Sequence, residues 1–250
     1  MMQLLLPSHA ETIAQLARSR TLLAFDFDGT LSPLVPNRDE AGLRPRTRAL
    51  LATLSELYPT AVISGRSRRD VTSRLRGCQV KYVIGNHGLE PGTDLRTAWA
   101  SLDAARSRLV SLASVTQGLD LEDKRYSLAV HYRRSRNRRA AELAIRRAVL
   151  GLAVPMRVIG GKCVVNLVPA NAPNKGDALL SLRSKVGADT ALYVGDDVTD
   201  EDVFRIDQPG RLLSVRVGRS ASSAATYFLK GQREVDTLLT RLISFRTRMK

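Results

Sequence analysis

Aromatic side chains are scarce in this 250-residue chain, where Phe, Tyr and Trp together make up 5%. Surfaces that stack single-stranded nucleic acid rely on them, so their scarcity argues against that class of function. Cysteine is scarcer still. Cys78 and Cys163 are the only two, too few for a disulfide framework or a cysteine-built zinc site, which points to a reducing, cytoplasmic setting. Long apolar runs are missing as well: Leu4–Leu6 stops at Pro7, and no stretch approaches the roughly 18 apolar residues of a membrane helix. No signal peptide is visible, so no membrane association is expected. Hydrophobic residues make up 44% and charged residues 25%, which excludes disorder, collagen and a repeat-only coil. The length suits one large α/β domain, or a core with an inserted second domain.

Acidic charge is also in deficit: 24 Asp+Glu face 39 Lys+Arg, a formal net charge of +15. The excess is uneven, with net +4 over residues 1–98, +8 over 99–172 and +3 over 173–250. Its densest run is Arg133, Arg134, Arg136, Arg138 and Arg139. Without interleaved aromatics or a nucleic-acid module, that run reads as a solvated helix start, and no nucleic acid is expected as a partner.

Short apolar runs alternate with helical patterns. The spacing predicts strands at Leu22–Phe25, Ala61–Ile63 and Tyr82–Ile84, with helices over 44–57 and 67–76 between them. The rhythm changes after residue 98. A helix near 99–113 precedes strands at Gly118–Glu122 and Leu128–Tyr132. A basic helix over 137–150 follows, then strands at Met156–Ile159 and Cys163–Val168 joined by Gly160-Gly161-Lys162. That block reads as α+β and antiparallel. From Lys175 the first rhythm resumes: a helix over 175–185, a strand at Ala191–Val194, a short helix near 200–205, a strand at Leu212–Val217 and a last helix over 233–245. The expected fold is α/β, with a Rossmann-like parallel core over 1–98 and 173–250 and an inserted α+β domain over 99–172. Ligands of such sheets lie at the carboxyl ends of the strands, where Asp26, Ser64, Gly85 and Asp196 all fall.

Phe25-Asp26-Phe27-Asp28-Gly29-Thr30 follows the first predicted strand directly. Two carboxylates two residues apart can converge on one cation or one phosphoryl group, although an Asp-x-Asp string also serves as turn chemistry. Gly195-Asp196-Asp197-Val198-Thr199-Asp200-Glu201-Asp202 follows another apolar strand; its acids can equally cap a helix. Both clusters on one sheet edge would repel each other unless a cation intervened, and hard oxygen ligands suit Mg²⁺. Between them lie Ser64 in Ile63-Ser64-Gly65-Arg66 and Lys175 in Asn174-Lys175-Gly176. A hydroxyl beside backbone N–H groups and a lysine near a helix start can cradle a phosphate.

In this order the strings resemble the haloacid dehalogenase superfamily of aspartate-nucleophile phosphatases, over nearly the whole chain. More narrowly, Gly85-Asn86-His87-Gly88-Leu89-Glu90, Glu122-Asp123-Lys124 and His131-Tyr132-Arg133 resemble the trehalose-6-phosphate phosphatase family. The resemblance implies that Asp26 is the nucleophile and Asp28 the general acid/base. It implies that Asp26, the Asp28 carbonyl and Asp196 hold Mg²⁺, supported by Asp197 or Asp200, and that Ser64 and Lys175 grip the phosphoryl oxygens. The inserted block would be a cap reading the sugar, with Arg66, Asn86, His87, Glu90, Glu122, Lys124, Arg133, Lys162 and Asn166 as candidate contacts. The expected partner is a small-molecule sugar phosphate and the expected state a monomer. One departure stands out. Family members follow Gly-Lys with an apolar pair, Glu, an apolar residue, Arg or Lys, and Pro; here Asn166 and Val168 replace the carboxylate and the cation in Gly161-Lys162-Cys163-Val164-Val165-Asn166-Leu167-Val168-Pro169. Trehalose 6-phosphate is therefore the leading expected substrate, with glucosylglycerol, mannosylglycerate or sucrose phosphate as alternatives. A basic binding protein without activity is the third reading, against which the complete set of core residues argues.

Overall fold

The computed structural model describes residues 1–91, 95–150, 152, 155–206 and 208–248. In chain order the elements begin with β1 (Met2–Gln3), α1 (Ala10–Arg18), β2 (Thr21–Phe25), α2 (Pro45–Leu57), β3 (Thr60–Ile63), α3 (Arg68–Arg74) and β4 (Tyr82–Ile84). The middle of the chain holds α4 (Leu95–Val115), β5 (Asp120–Asp123), β6 (Leu128–His131), α5 (Arg138–Val149), β7 (Met156–Gly161) and β8 (Val164–Pro169). The rest comprises α6 (Lys175–Lys185), β9 (Thr190–Gly195), α7 (Glu201–Phe204), β10 (Leu212–Val217), β11 (Tyr227–Leu229) and α8 (Arg233–Thr247). The chain divides into two compact units, one made of Met1–Gly88 and Asn174–Lys250, the other of Leu89–Pro173.

The first unit holds a seven-stranded parallel sheet in the order β1-β11-β10-β9-β2-β3-β4. Its central strands are mostly apolar, as a sheet covered on both faces requires; Leu22, Leu23, Ala24 and Phe25 of β2 are all fully buried. One core layer joins β2 and β9 to α1, α2 and α8 through residues such as Leu16, Leu51, Leu238 and Leu242. The layer on the other face includes Leu179, Leu182, Tyr193 and Phe204. Each such large side chain contributes about 1.5–3 kcal/mol when fully buried. After β2 the chain moves outward through β3 and β4, whereas β9 returns to the other flank of β2. That reversal makes a crevice beyond the carboxyl ends of β2 and β9, the place where open parallel sheets bind ligands.

The second unit is a four-stranded antiparallel sheet, β5-β6-β8-β7. Leu128 and Val130 of β6 and Val165 and Leu167 of β8 point from one face into a core with Leu102, Leu109, Ala141 and Ile145 of α4 and α5. The alternation of a strand sends Ala129, His131, Asn166 and Val168 to the opposite face. Arg133, Arg134, Arg136, Arg138 and Arg139 are exposed around the start of α5, where Asn137 caps the helix by accepting from the Ala140 N–H at 3.0 Å. Among the described residues no helix is long and apolar enough to cross a membrane.

The predicted strands and helices are present within a few residues. Three elements had no legible pattern. β1 and β11 are two and three residues long, shorter than any periodicity can register. Helix α1 buries Ile13, Ala14, Leu16 and Ala17, but its N-terminus has no side-chain cap to announce it.

Tyr58, which follows α2, ties that helix to α8 by donating its hydroxyl to the Leu242 carbonyl at 2.9 Å. Burial pushes its pKa up from 10.0 to about 12, so the neutral phenol favours the folded state. The stability this provides is complete below the pKa of an unfolded tyrosine and is lost as pH rises towards about 12. Tyr58→Phe should lower unfolding stability by about 1 kcal/mol at neutral pH. Urea titrations at rising alkaline pH should show the gap between wild type and variant closing.

Candidate active site

β2 ends at Phe25, and the next residue still belongs to the ladder: Asp26 N–H donates to the Val194 carbonyl of β9 at 2.8 Å. The ladder therefore sets the Asp26 carboxylate beside the Gly195-Asp196-Asp197 turn. Lys175 arrives from the other side as the first residue of α6. That helix begins with a reciprocal cap, in which Asp177 N–H donates to Asn174 Oδ1 and Asn174 N–H donates to Asp177 Oδ2, both at 3.0 Å. A cation at a helix N-terminus opposes the helix dipole. Two carboxylates compensate: Lys175 Nζ donates to Asp26 Oδ1 and to Asp200 Oδ1, each at 2.7 Å.

Asp200 is fully buried and fully occupied. Its Oδ1 also accepts from the Tyr193 hydroxyl at 2.7 Å, and its Oδ2 accepts the Asp196 and Asp197 N–H groups at 2.8 and 2.9 Å. It thus shapes the turn that presents Asp196 while holding Lys175 in place. Tyr193 went unread in the sequence, since a tyrosine within an apolar strand looks like core. Burial, with Asp200 and Asp26 nearby, pushes its pKa well up, so it remains a neutral donor.

Asp26, Asp196 and Asp200 each offer an oxygen within 4.8 Å of the others, and all three are buried. Burial pushes the Asp26 carboxyl well above the usual range; Lys175 draws it back, while Asp200 and Asp196 push it further up. Burial also works against the Lys175 charge, yet Asp200 and Asp26 hold its pKa above the ordinary lysine value. Three carboxylates surround one ammonium in this buried cluster, so its acidic groups outnumber its cation. A hard divalent cation would suit such a set, since oxygen donors are the ligands it takes.

The loop after Asp26 is tightly held. Gly29 N–H donates to the Ser32 carbonyl and Ser32 N–H to the Phe27 carbonyl, both at 2.8 Å. Gly29 has φ +82°, and a Cβ there would strike the Asp196 carboxylate, so this turn admits no side chain. Asp28 does not share the Lys175 ammonium. Arg66 grips it with both arms, Nε to Oδ2 at 2.6 Å and Nη2 to Oδ1 at 2.8 Å. Ser64, buried at the end of β3, accepts the Arg66 N–H on its Oγ at 3.2 Å. The Asn86–His87–Gly88 turn locks this loop in place, with Asn86 N–H donating to the Arg66 carbonyl at 2.8 Å and His87 N–H to the Ser64 carbonyl at 3.0 Å. The His87 ring occupies the space that a side chain at position 65 would need, which explains Gly65.

Of the predicted site residues, Asp26, Asp28, Ser64, Arg66, Asn86, His87, Lys175, Asp196, Asp197 and Asp200 lie in the first unit. Glu90, Glu122, Lys124, Arg133, Lys162 and Asn166 lie in the second. There Glu122, Ala129, Asn166 and Ile159 form one row across β5, β6, β8 and β7. Glu122 Oε2 meets His131 Nε2 at 2.9 Å, a pairing not legible in the sequence. Lys124 Nζ donates to Asn166 Oδ1 at 3.5 Å. Val168, where the resemblance led us to expect a cation, is buried in an apolar cluster with Leu89, Tyr126 and Ala172. Arg133 is exposed and donates to the Lys162 carbonyl at 3.4 Å.

The chain is similar to "Probable trehalose-phosphate phosphatase 4" of Oryza sativa subsp. japonica, 29% identical over 96% of this chain and 70% of that one. It is 35% identical to "Trehalose-phosphate phosphatase" of Mycobacterium avium (strain 104), over 81% of this chain but only 55% of the relative. The chain thus spans little more than half the length of that mycobacterial protein. The fold matches the C-terminal domain of C. albicans trehalose-6-phosphate phosphatase with a TM-score of 0.75 at 21% identity, covering 94% of this chain and 97% of that one. The trehalose-phosphatase family model matches from Ala24, on the strand that leads to Asp26, through Arg233 at the start of the last helix, so the chain belongs to the trehalose-phosphatase family.

Proposed function

We propose that this chain hydrolyses trehalose 6-phosphate to trehalose and phosphate, with Mg²⁺ and through an aspartyl-phosphate on Asp26. One observation carries the reading: in a chain of this family, Asp26 ends the central strand at the crevice, ion-paired to a buried lysine and flanked by two further buried carboxylates. Asp26, the Asp28 carbonyl and Asp196 would hold the cation, with Asp200 and Asp197 behind them. Bound there, Mg²⁺ would offset the phosphoryl charge that otherwise repels a carboxylate.

The chain's own residues do the rest. Asp26 attacks phosphorus as the bond to the sugar oxygen breaks, which splits one difficult displacement into two. Asp28 gives a proton to the leaving oxygen and later takes one from the attacking water. Lys175 and Ser64 hold the phosphoryl oxygens; the Ser64 Oγ accepts from Arg66 N–H and keeps its own proton to donate. Residues 99–172 take the cap's role, Glu122, Lys124, Arg133, Lys162 and Asn166 being its candidate sugar contacts; Asn86, His87 and Glu90 are the further candidates. Asp26→Asn should reduce phosphate release on the order of 10⁴-fold or more and abolish labelling of the protein by substrate phosphate; release at the wild-type rate would remove Asp26 from the nucleophile's role.

Treatment with a chelator should abolish activity and Mg²⁺ should restore it. Mg²⁺ should also raise the melting temperature of wild type more than that of Asp196→Asn, because a ligand bound only by the folded state stabilises it. Equal shifts would place the cation elsewhere.

A second substrate reading has its own support. Asn166, beside Lys124, is a neutral amide where the family has a carboxylate, and a charge-assisted bond to a sugar hydroxyl is weakened by that change. A panel of trehalose, glucosylglycerol, mannosylglycerate and sucrose phosphates decides between them. The highest kcat/KM is expected on trehalose 6-phosphate; a higher value on another member would transfer the assignment to that sugar.

A further inference from the structure

The two carboxylates of the Asp-x-Asp string have separate cations. Asp26 is paired with Lys175, and Asp28 is held by Arg66. Like groups placed in different surroundings take different roles, and here Asp28 is held by Arg66 of the loop between β3 and α3. Arg66 is only 12% exposed, and its guanidinium is committed on every side. Nε and Nη2 hold Asp28, Nη2 also donates to the Arg38 carbonyl at 2.8 Å, and Nη1 donates to Asp70 Oδ2 at 2.8 Å. The ring of Phe27 lies 5.8 Å away.

Asp70 sits in the first turn of α3, where Ser67 caps the helix by accepting the Asp70 N–H. The other carboxylate oxygen of Asp70 accepts from Arg74 Nε at 2.9 Å. Arg74 in turn donates to the Asp39 carbonyl at 3.1 Å and to the Ala41 carbonyl. The result is a chain of charged groups, Arg74–Asp70–Arg66–Asp28, anchored in α3 and in the 38–41 segment and ending on the Asp28 carboxylate.

We propose that Asp70 is a positioning residue for the reaction: through Arg66 it fixes the orientation in which the Asp28 carboxyl meets the leaving oxygen. This rests on the reading of Asp28 as proton donor given above. A partly exposed carboxylate without a partner would sample several rotamers, few of them aimed at the leaving oxygen. A two-point guanidinium fork admits essentially one, and a fork held on its far side by Asp70 cannot swing away with its load. In the first step the bond from Asp26 oxygen to phosphorus forms, the phosphorus–sugar oxygen bond breaks, and the Asp28 proton passes to that oxygen. An alkyl phosphate needs this proton, because an alkoxide is a poor leaving group. p-Nitrophenyl phosphate does not, because its phenolate departs unaided. The same geometry makes Arg66 a holder of Asp28 rather than a contact to substrate.

The test compares kcat/KM for trehalose 6-phosphate and for p-nitrophenyl phosphate, a ratio confined to the first step, in wild type, Asp70→Asn and Arg66→Lys. Asp70→Asn should lower the value for the sugar phosphate by about 10- to 100-fold, chiefly through kcat, while p-nitrophenyl phosphate changes less than about threefold. Arg66→Lys keeps the charge but loses the fork, and should show the same selective loss. Melting temperatures taken alongside separate folding defects from mispositioning. Equal losses on both substrates, or a raised KM on both, would make Arg66 and Asp70 structural or substrate-binding residues and overturn the proposal. If wild type releases phosphate from neither compound, the phosphatase reading itself fails and the proposal falls with it; wild-type activity with an unchanged ratio in both variants defeats the proposal alone.

Discussion

A lysine ammonium buried between two carboxylates organises the core of this protein. Lys175 is 2% exposed, so its charge persists only because Asp26 and Asp200 are both at 2.7 Å. Removing Lys175 would leave both buried carboxylates without it, a loss of about 3–5 kcal/mol. The elements that carry these three residues are therefore pinned together at the carboxyl edge of the sheet: β2 through Asp26, the start of α6 through Lys175, and the turn after β9 through Asp200. The four-donor shell of Asp200 makes that turn rigid, and rigidity here sets the direction in which Asp196 points.

The cluster holds more carboxylates than cations, a donor set that suits a hard divalent cation. Burial pushes the Asp26 carboxyl towards its neutral form, and the Lys175 ammonium draws it back. Asp28, by contrast, is 35% exposed and is held by a surface-anchored chain of ion pairs. Two acids separated by one residue therefore sit in different electrostatic surroundings.

The positive charge of the chain looks different in this light. The arginines of the densest run are exposed around a helix start, whereas the cations that hold the acids of the candidate site, Lys175 and Arg66, lie in the first unit. Net charge described the surface of this protein and said little about its site.

Much of the core site was legible in the sequence for a local reason. Short apolar runs ending in Asp26, Ser64 and Asp196 mark strand ends, and parallel strands place their carboxyl ends together. Asn174 and Asp177 announce the start of α6, hence the place of Lys175, through a capping pattern confined to four residues. None of the decisive contacts carries such a signature. Lys175 and Asp26 are 149 positions apart and Arg66 and Asp28 are 38 apart, so nothing in either neighbourhood names the other. Tyr193 read as core because its hydroxyl partner belongs to the following turn, and His131 found Glu122 only through strand register. Local sequence reveals which residues stand at element ends, because capping, turns and periodicity act over a few positions. Which cation holds which carboxylate depends on the packing of distant segments, and only the folded chain brings those together.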